Sequence, residues 1–256
     1  METPTILEVN QLRKSFDGLL AVYDVSFQVK AGQIKTIIGP NGAGKTTVFN
    51  LVSGFLPPTS GDVKFKGKSL KGLKPDAVAR LGLSRTFQIV RLFGDLTVLE
   101  NVMVGYHRRA PASIWECALG PVRTKRAENN IREQALRWLE FVGLGDRARD
   151  YPPNLPFGQQ RLLELARALA GEPELLLLDE PAAGLNDAER QKLGNLLLNI
   201  REQGGTILLV EHNMDLVMSV SDEILVVNYG QKLAEGTAEQ IQRQEEVIAA
   251  YLGEVE

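Results

Sequence analysis

The stretch GPNGAGKTT, residues 39–47, decides the fold of this chain. It fits the pattern G-x-x-x-x-G-K-[ST], follows the apolar run at 34–39, and opens a helical pattern that continues to about Gly54. Glycines let the main chain curl until its N–H groups face phosphate oxygens, and the N-terminus of the helix adds its dipole. A mere Gly-rich turn would need neither the strand nor the helix. The context therefore predicts a loop that binds the phosphates of a nucleotide.

The side chains of this loop have separate expected roles. Lys45 places a positive charge at the β- and γ-phosphates, and Thr46 places its hydroxyl group on Mg²⁺. The residues expected to bind the nucleotide are Gly39, Pro40, Asn41, Gly42, Ala43, Gly44, Lys45, Thr46 and Thr47.

A pair of carboxylates ends the apolar stretch ELLLLDE at 174–180. Successive residues of a strand point to opposite faces, so Asp179 and Glu180 are expected to serve different positions. We expect Asp179 to hold Mg²⁺ through its water shell, and Glu180 to polarise the water that attacks the γ-phosphate. Two carboxylates that merely end a strand are common. A phosphate-binding loop, however, needs a partner strand that carries an acid, and this strand supplies one.

Short apolar runs without strict alternation recur along the chain, which is typical of strands buried on both faces of a parallel sheet. They cover residues 34–39, 174–180, 206–212 and 223–230. Helical patterns separate them, for example at 187–204 with its Gly-Gly stop. This alternation predicts an α/β fold with a mostly parallel sheet.

Two other regions have different patterns. The N-terminal third contains segments with period-2 alternation and Gly-containing turns, which predict an antiparallel β portion. The middle of the chain, about 90–170, has mainly helical patterns. We therefore expect one domain over residues 1–256, with a P-loop NTPase (RecA-like) core at about 1–88 and 172–256 and an inserted helical subdomain at about 89–171.

The composition limits the function classes. The chain has 29 Lys and Arg against 32 Asp and Glu, so it lacks the broad positive charge that nucleic-acid binding needs. Its single cysteine, Cys117, cannot form an internal disulfide, and no signal-peptide pattern opens the chain, so we expect a cytoplasmic location. No apolar run approaches the roughly 18 residues that cross a bilayer. Work at a membrane would require other chains that span it.

With both motifs in place, the chain resembles the ATP-binding subunits of ABC transporters over nearly all of its 256 residues. Four further segments carry this resemblance. SRTFQ at 84–88 matches the family's glutamine segment, and LPFGQ at 155–159 stands in the place of the signature L-S-G-G-Q. PAAGLN at 181–186 matches the loop after the acidic pair, with Asn186 where Asp is more usual. LLVEH at 208–212 matches a strand that ends in histidine.

The resemblance implies that the nucleotide is ATP and assigns further residues to its site. Gln88 would contact Mg²⁺ or the attacking water, and His212 would join Glu180 in catalysis. The position of His212 at the carboxyl end of a sheet strand agrees with this role, because ligands bind α/β folds there. The residues expected at Mg²⁺ are thus Thr46, Gln88 and Asp179.

Two more contacts with ATP follow from the resemblance. Phe16 would stack on adenine, although Tyr23 competes for that role and Phe16 could instead belong to the β core. Gly158 and Gln159 of the signature segment would contact the γ-phosphate of an ATP held by a second subunit.

Longer matches narrow the resemblance to the ATPases of branched-chain amino-acid importers. They cover residues 85–107, 158–169, 179–186 and 247–254. This implies a homodimer, or a heterodimer with a second ABC ATPase, in which each ATP lies between one subunit's P-loop and the other's signature segment. It also implies integral membrane permease subunits, an indirect periplasmic or extracellular substrate-binding protein, and a peripheral place on the cytoplasmic face of the inner membrane.

The apolar segment that follows Gln88 is the expected surface for the permease. Leu92 and Phe93 are the better candidates for docking a membrane-subunit helix, while several of the segment's apolar residues pack inside the helical subdomain. The basic segment at 108–126 has two readings, contact with anionic lipid or a solvated insertion.

Two other function classes compete with this assignment. A cytosolic non-transporter ABC ATPase would use the same motifs to move a soluble partner. A P-loop kinase or GTPase would leave the matches at Gln88, the signature segment and His212 unexplained, and the chain has no N-K-x-D motif for guanine.

The signature segment LPFGQQR at 155–161 departs from its family at two positions. Pro156 removes a hydroxyl group, and with it one charge-assisted hydrogen bond of roughly 1.5–3 kcal/mol. Phe157 adds bulk where the family often has Gly. Proline is favoured near a helix start, and the free N–H groups and dipole of that helix remain available to a phosphate. We therefore expect the signature segment to bind the partner's ATP still, but more weakly.

Overall fold

A computed structural model of the chain describes residues 3–106 and 121–252, with the main chain alone described for 121–127 and 252. Most of the basic segment at 108–126 therefore lies outside the described residues. Within the described ranges, no helix combines the length and the apolar character needed to cross a membrane.

Internal contacts divide the chain into two compact units. The core unit comprises Met1–Arg85, Glu174–Ala182 and Arg190–Glu256, and the helical unit comprises Thr86–Pro173 and Ala183–Glu189. The loop and helix start at 183–189 thus group with the helical unit, although they follow the acidic strand in sequence.

The core unit contains two sheets. Their strands are β1 (Thr5–Phe16), β2 (Leu19–Lys30), β3 (Ile34–Ile38), β4 (Ser60–Phe65), β5 (Lys68–Ser69), β6 (Leu83–Arg85), β7 (Leu175–Asp179), β8 (Ile207–Val210), β9 (Glu223–Asn228) and β10 (Gln231–Gly236). One sheet is antiparallel with the order β2-β1-β4-β5, and the other has the order β10-β9-β3-β8-β7-β6.

The six-stranded sheet is parallel except for β10, which pairs antiparallel with β9. Every residue of β3, β7 and β8 is buried, because these strands lie inside the sheet with both faces covered. The predicted α/β class, with a mostly parallel sheet and an N-terminal antiparallel portion, is confirmed. Since β3, β8 and β7 are neighbours and run parallel, the segments that follow them emerge at the same sheet edge.

The helices are divided between the two units and form most of the helical unit. They are α1 (Lys45–Val52), α2 (Pro75–Arg80), α3 (Val98–Gly105), α4 (Pro121–Val142), α5 (Phe157–Ala170), α6 (Asp187–Glu202), α7 (Met214–Val220), α8 (Ala238–Gln242) and α9 (Glu245–Leu252). A core cluster joins residues of the antiparallel sheet, α1 and the parallel sheet, among them Val9, Phe49 and Leu177. This packing fixes α1, and therefore the loop that precedes it.

The helical unit is held by an amphipathic face and by helix caps. Ala135, Leu139 and Val142 of α4 are fully buried, as their spacing predicts. Thr97 and Glu100 form a capping box at the start of α3, in which each side chain accepts a hydrogen bond from the other residue's N–H group.

Candidate functional site

The loop between β3 and α1 leaves no room for side chains at two of its glycines. A Cβ atom on Gly39 would lie 1.9 Å from the carbonyl oxygen of Val227, and one on Gly44 would lie 2.7 Å from that of Ala21. Gly44 also has φ +99°, a conformation that residues with side chains rarely adopt. The loop is therefore pressed against β9 and β2, and its curl requires glycine.

Lys45 lies inside this loop. Its side chain is buried, and Nζ donates to the carbonyl oxygens of Gly39 at 2.6 Å and Pro40 at 2.7 Å. The ammonium group is thus held within the curl of the main chain. Because Lys45 is also the first residue of α1, its charge adds to the positive end of the helix dipole.

Asp179 ends β7 with its side chain only 5% exposed. Its Oδ2 accepts from Arg85 Nη2 at 2.9 Å, and Nη1 of the same guanidinium donates to Asn50 Oδ1 at 2.6 Å and Ser53 Oγ at 2.7 Å. Burial lowers the pKa of Arg85, while the hydrogen bond and charge of Asp179 raise it. Arg85 therefore ties the Asp179 carboxylate to the C-terminal end of the P-loop helix.

Arg85 is a site residue that sequence reasoning missed. The guanidinium also lies over the rings of Phe49, at 4.8 Å, and Phe55, at 5.1 Å. Its place three residues before Gln88 was visible in the sequence, but an arginine in a short strand carries no local signal of burial.

The position of Glu180 has a different structural cause from the strand alternation that the sequence indicated. β7 ends at Asp179, and Glu180 has φ 47°, in the left-handed region, so Glu180 lies beyond the strand and strand alternation does not set its position. The main chain remains anchored, because Glu180 N donates to Val210 O at 2.8 Å. A non-glycine residue in this region is uncommon and costs conformational energy, a form of strain that clusters at functional sites.

His212 and Glu180 lie near each other at the carboxyl edge of the parallel sheet. His212 Nδ1 is 3.8 Å from Glu180 Oε2, and the imidazole is 59% exposed. The carboxylate of the buried Glu211 accepts hydrogen bonds from the N–H groups of Ala182, His212 and Asn213. Glu211 therefore holds the main chain of the segments that follow β7 and β8. Glu211 was also missed from sequence, where it stands beside the histidine without a recognisable role.

The two candidates for adenine stacking are both accessible. Phe16 ends β1 and is 41% exposed, with Lys14 Nζ 5.0 Å from its ring centroid. Tyr23 is 40% exposed, and the guanidinium of Arg13 lies 4.6 Å from its ring. Because the two rings are almost equally exposed, exposure does not decide which of them stacks on adenine. The stacking role of Phe16 stays a prediction.

In the helical unit, the signature segment forms the start of α5. Pro156 is the N-cap residue, and the helix begins at Phe157. Gly158 is backed closely by Glu189, because a Cβ atom there would lie 2.3 Å from Glu189 Oε1. Glu189 in turn accepts from Asn186 N at 3.0 Å and donates through its own N–H to Asn186 Oδ1 at 3.0 Å, which caps α6.

The bulk of Phe157 is accommodated by the same loop. A Cβ atom on Gly184 would lie 2.9 Å from the Phe157 ring, and Gly184 has φ +79°. The departure at the third signature position is thus matched by a glycine in the loop that follows the acidic pair.

The segment after Gln88 belongs to the helical unit as well. Ile89 is 72% exposed and Phe93 50% exposed, whereas Leu92 is only partly exposed and Val98 and Leu99 are buried. Phe93 is therefore a better docking candidate than Leu92, and Ile89 joins it.

The sequence-predicted residues thus fall into two groups. The P-loop, Asp179, Glu180 and His212 gather at the carboxyl edge of the parallel sheet in the core unit, where ligands of α/β folds bind. Gln88, Gly158 and Gln159 lie in the helical unit. A phosphate-binding loop followed by a helix, with an acidic pair at the end of another parallel strand of the same sheet, defines a P-loop nucleoside triphosphatase.

Comparison with known proteins identifies the particular family. The ABC transporter family matches residues 22–183, and the C-terminal segment of branched-chain amino acid ATP-binding cassette transporters matches residues 231–256. The chain belongs to the ATP-binding subunits of ABC transporters, which bind and hydrolyse ATP.

Individual relatives match over nearly the whole chain. The high-affinity branched-chain amino acid transport ATP-binding protein LivG of Salmonella typhimurium is 46% identical over 97% of this chain and 98% of its own. Its counterpart BraF of Pseudomonas aeruginosa is 47% identical over the same shares. The ADP conformation of an ATP-binding cassette of an ABC transporter aligns with a TM-score of 0.85 and 31% identity, covering 98% of this chain and 100% of that one. A dimeric post-hydrolysis cassette bound to ADP and Pi aligns with a TM-score of 0.78 and 25% identity, over 91% and 99%.

Proposed function

We propose that this chain is the ATP-hydrolysing subunit of an importer for branched-chain amino acids. The names of LivG and BraF support the substrate class, as does the match of residues 231–256 to the C-terminal segment of such transporters. The observation that carries the proposal is that one chain contains both a P-loop and a signature helix. Each chain therefore holds two half-sites for ATP.

Within the core unit, each residue has a chemical task. Lys45 and the main-chain N–H groups of the P-loop bind the β- and γ-phosphates. Glu180 accepts a proton from the attacking water, and His212, whose Nδ1 lies 3.8 Å from the Glu180 carboxylate, helps to hold the reacting groups. Phe16 stacks on adenine. The reaction is mainly one of positioning and charge stabilisation, as is usual in phosphoryl transfer.

The residues expected at Mg²⁺ fit that ion. They offer only oxygen ligands, from the Thr46 hydroxyl, the Asp179 carboxylate and the Gln88 amide, and Mg²⁺ prefers such ligands. Arg85 holds Asp179 in one orientation, which suits an ion that demands strict geometry. When bound, Mg²⁺ would neutralise charge on the phosphate oxygens.

The assembly follows from the half-sites. Two ATPase subunits, identical or different, face each other so that Gly158 and Gln159 of one contact the ATP of the other. Closure around ATP and reopening after hydrolysis shift integral membrane permease subunits between two states, because ATP binds the closed state more tightly. The chain lies at the cytoplasmic face of the membrane, with Ile89 and Phe93 toward the permease, and an external binding protein delivers the amino acid.

Replacing Glu180 by glutamine tests the proposed chemistry. The change keeps the size of the side chain but removes the proton acceptor, so ATP binding should persist, turnover should stop, and the ATP-bound dimer should accumulate. Size-exclusion chromatography with ATP, together with phosphate release, measures both effects. Lys45→Ala is the matched control and should abolish ATP binding. Hydrolysis by the Glu180→Gln protein near the wild-type rate would remove Glu180 as the base.

A second experiment separates the transporter from a soluble ATPase. The tagged chain, expressed in its native host, should co-purify with integral membrane proteins, and membranes containing the complex should take up a radiolabelled branched-chain amino acid only with ATP. Recovery with soluble partners alone would favour the non-transporter ABC ATPase.

A further inference from the structure

The signature helix α5 carries a buried pair of opposite charges outside the proposed ATP contacts. The side chain of Arg161 is 6% exposed and that of Glu164 is 4% exposed, with Arg161 Nη1 3.7 Å from Glu164 Oε2. Burying charged groups costs free energy unless they are paired and hydrogen-bonded, so these two side chains need hydrogen-bonding partners.

Arg161 finds its partners in the main chain of the glutamine segment. Nη1 donates to Phe87 O at 3.1 Å and Nη2 donates to Gln88 O at 2.6 Å, so the guanidinium bridges two successive carbonyl groups. The same guanidinium lies 5.3 Å from the ring centroid of Phe157 in the signature segment. One side chain therefore contacts both the start of α5 and the residue expected at the attacking water.

Glu164 faces the same segment from one helical turn further along. Burial raises the pKa of Glu164, and the charges of Arg167 and Arg161 and the main-chain N–H groups of Phe87 and Arg91 oppose that rise. Arg167 Nη2 lies 4.0 Å from Glu164 Oε1, and its guanidinium is 5.6 Å from the ring of Phe93. Donors and acceptors on α5 thus meet carbonyl and N–H groups of residues 87–91, in the helical unit alone.

We infer that Arg161 and Glu164, the α5 clamp, are positioning residues that fix the main chain of Gln88 to the signature helix. The inference rests on the proposed function, in which Gln88 serves the chain's own ATP and α5 contacts the partner's ATP. A displacement of α5 caused by the partner's γ-phosphate then carries the Gln88 carbonyl with it. The clamp therefore couples the two ATP sites of a dimer through one helix.

Hydrogen exchange tests the clamp directly in the full-length protein. Arg161→Met removes both donors, and Arg161→Lys keeps the charge beside Glu164 but cannot bridge two carbonyl groups as a planar fork. Amide exchange in peptides covering residues 86–92 should become about tenfold faster in both variants, because charge-assisted hydrogen bonds that hold the segment are lost. Glu164→Gln, which is nearly isosteric, gives the same readout if an arginine variant does not fold.

Kinetics then separates positioning from general stability. ATP affinity of the single subunit should stay within about twofold of wild type, because the P-loop is untouched, while kcat falls by roughly ten- to a hundredfold, as misplacement of a positioned group by about 1 Å predicts. The dependence of the rate on ATP concentration should also lose its cooperativity. Arg147→Met is the matched control, since Arg147 pairs with Asp150 on the surface of the same unit, and its kcat should not change.

The outcomes are distinct. Unchanged exchange at residues 86–92, or a full wild-type kcat in Arg161→Lys, would overturn the clamp. Parallel losses of ATP affinity and kcat would also overturn it, since they would indicate a structural role only. A wild-type chain that binds ATP without hydrolysing it would overturn the proposed function, and the exchange experiment would then decide the clamp by itself.

Discussion

Replacing Arg85 by methionine would show how strongly the core unit depends on the ion pair with Asp179. The two side chains are 8% and 5% exposed and meet at 2.9 Å. Removing one member of a buried pair typically costs about 3–5 kcal/mol, because the remaining charge stays buried. Methionine fills the space between the rings of Phe49 and Phe55 without a charge. We expect a loss of this size, or a fall in Tm of roughly 10 °C.

Two further variants give this prediction its controls. The double variant Arg85→Met with Asp179→Asn removes both charges and should recover part of the lost stability, though not ATP hydrolysis. Arg80→Met breaks the exposed pair with Asp76, whose side chains are 72% and 61% exposed, and should cost at most about 1 kcal/mol. Calorimetry of the nucleotide-free protein measures all three. If Arg85→Met costs no more than Arg80→Met, the reasoning about Asp179 is wrong.

Two other changes probe neighbouring features. Glu211→Ala removes the acceptor for three main-chain N–H groups, so stability should fall by about 2–4 kcal/mol and ATP hydrolysis roughly tenfold, because the loops at Glu180 and His212 lose their support. Urea unfolding measures the stability and phosphate release measures the hydrolysis. Glu211→Gln keeps an acceptor oxygen and should lose less of both; losses equal to those of Glu211→Ala would contradict this prediction. Pro156→Ser restores a hydroxyl at the N-cap of α5 and should tighten ATP-dependent dimerisation by roughly tenfold, measured by sedimentation. An unchanged dimer affinity would count against it.

Local patterns predicted the framework of this protein well. The run at 34–39 with the glycines and lysine after it specifies a strand, a phosphate loop and a helix within twenty residues, and the structure has β3, the loop and α1 in that order. The apolar run 175–178 of β7 and the apolar strand β8 could only belong to interior strands of a sheet. These features depend on neighbours in sequence, so a single sequence reveals them.

The missed residues depend on contacts that are distant in sequence. Arg85 meets Asp179 across 94 positions, and Arg161 meets Phe87 across 74. In sequence, each is an ordinary charged residue that is expected on a surface. Glu180 shows the same limit at the main-chain level, because nothing in ELLLLDE indicates that the chain turns into the left-handed region after Asp179.

The cap of α6 has a consequence for the electrostatic environment of the proposed dimer contact. The hydrogen bond from Glu189 N requires only an acceptor at position 186, and the amide oxygen of Asn186 supplies it as well as a carboxylate would. With Asn, the loop carries one negative charge fewer beside Glu189, whose carboxylate already lies against Gly158. In the proposed dimer, a phosphate that approaches the start of α5 from the other subunit would therefore meet weaker repulsion, which would partly offset the absence of a hydroxyl group at Pro156.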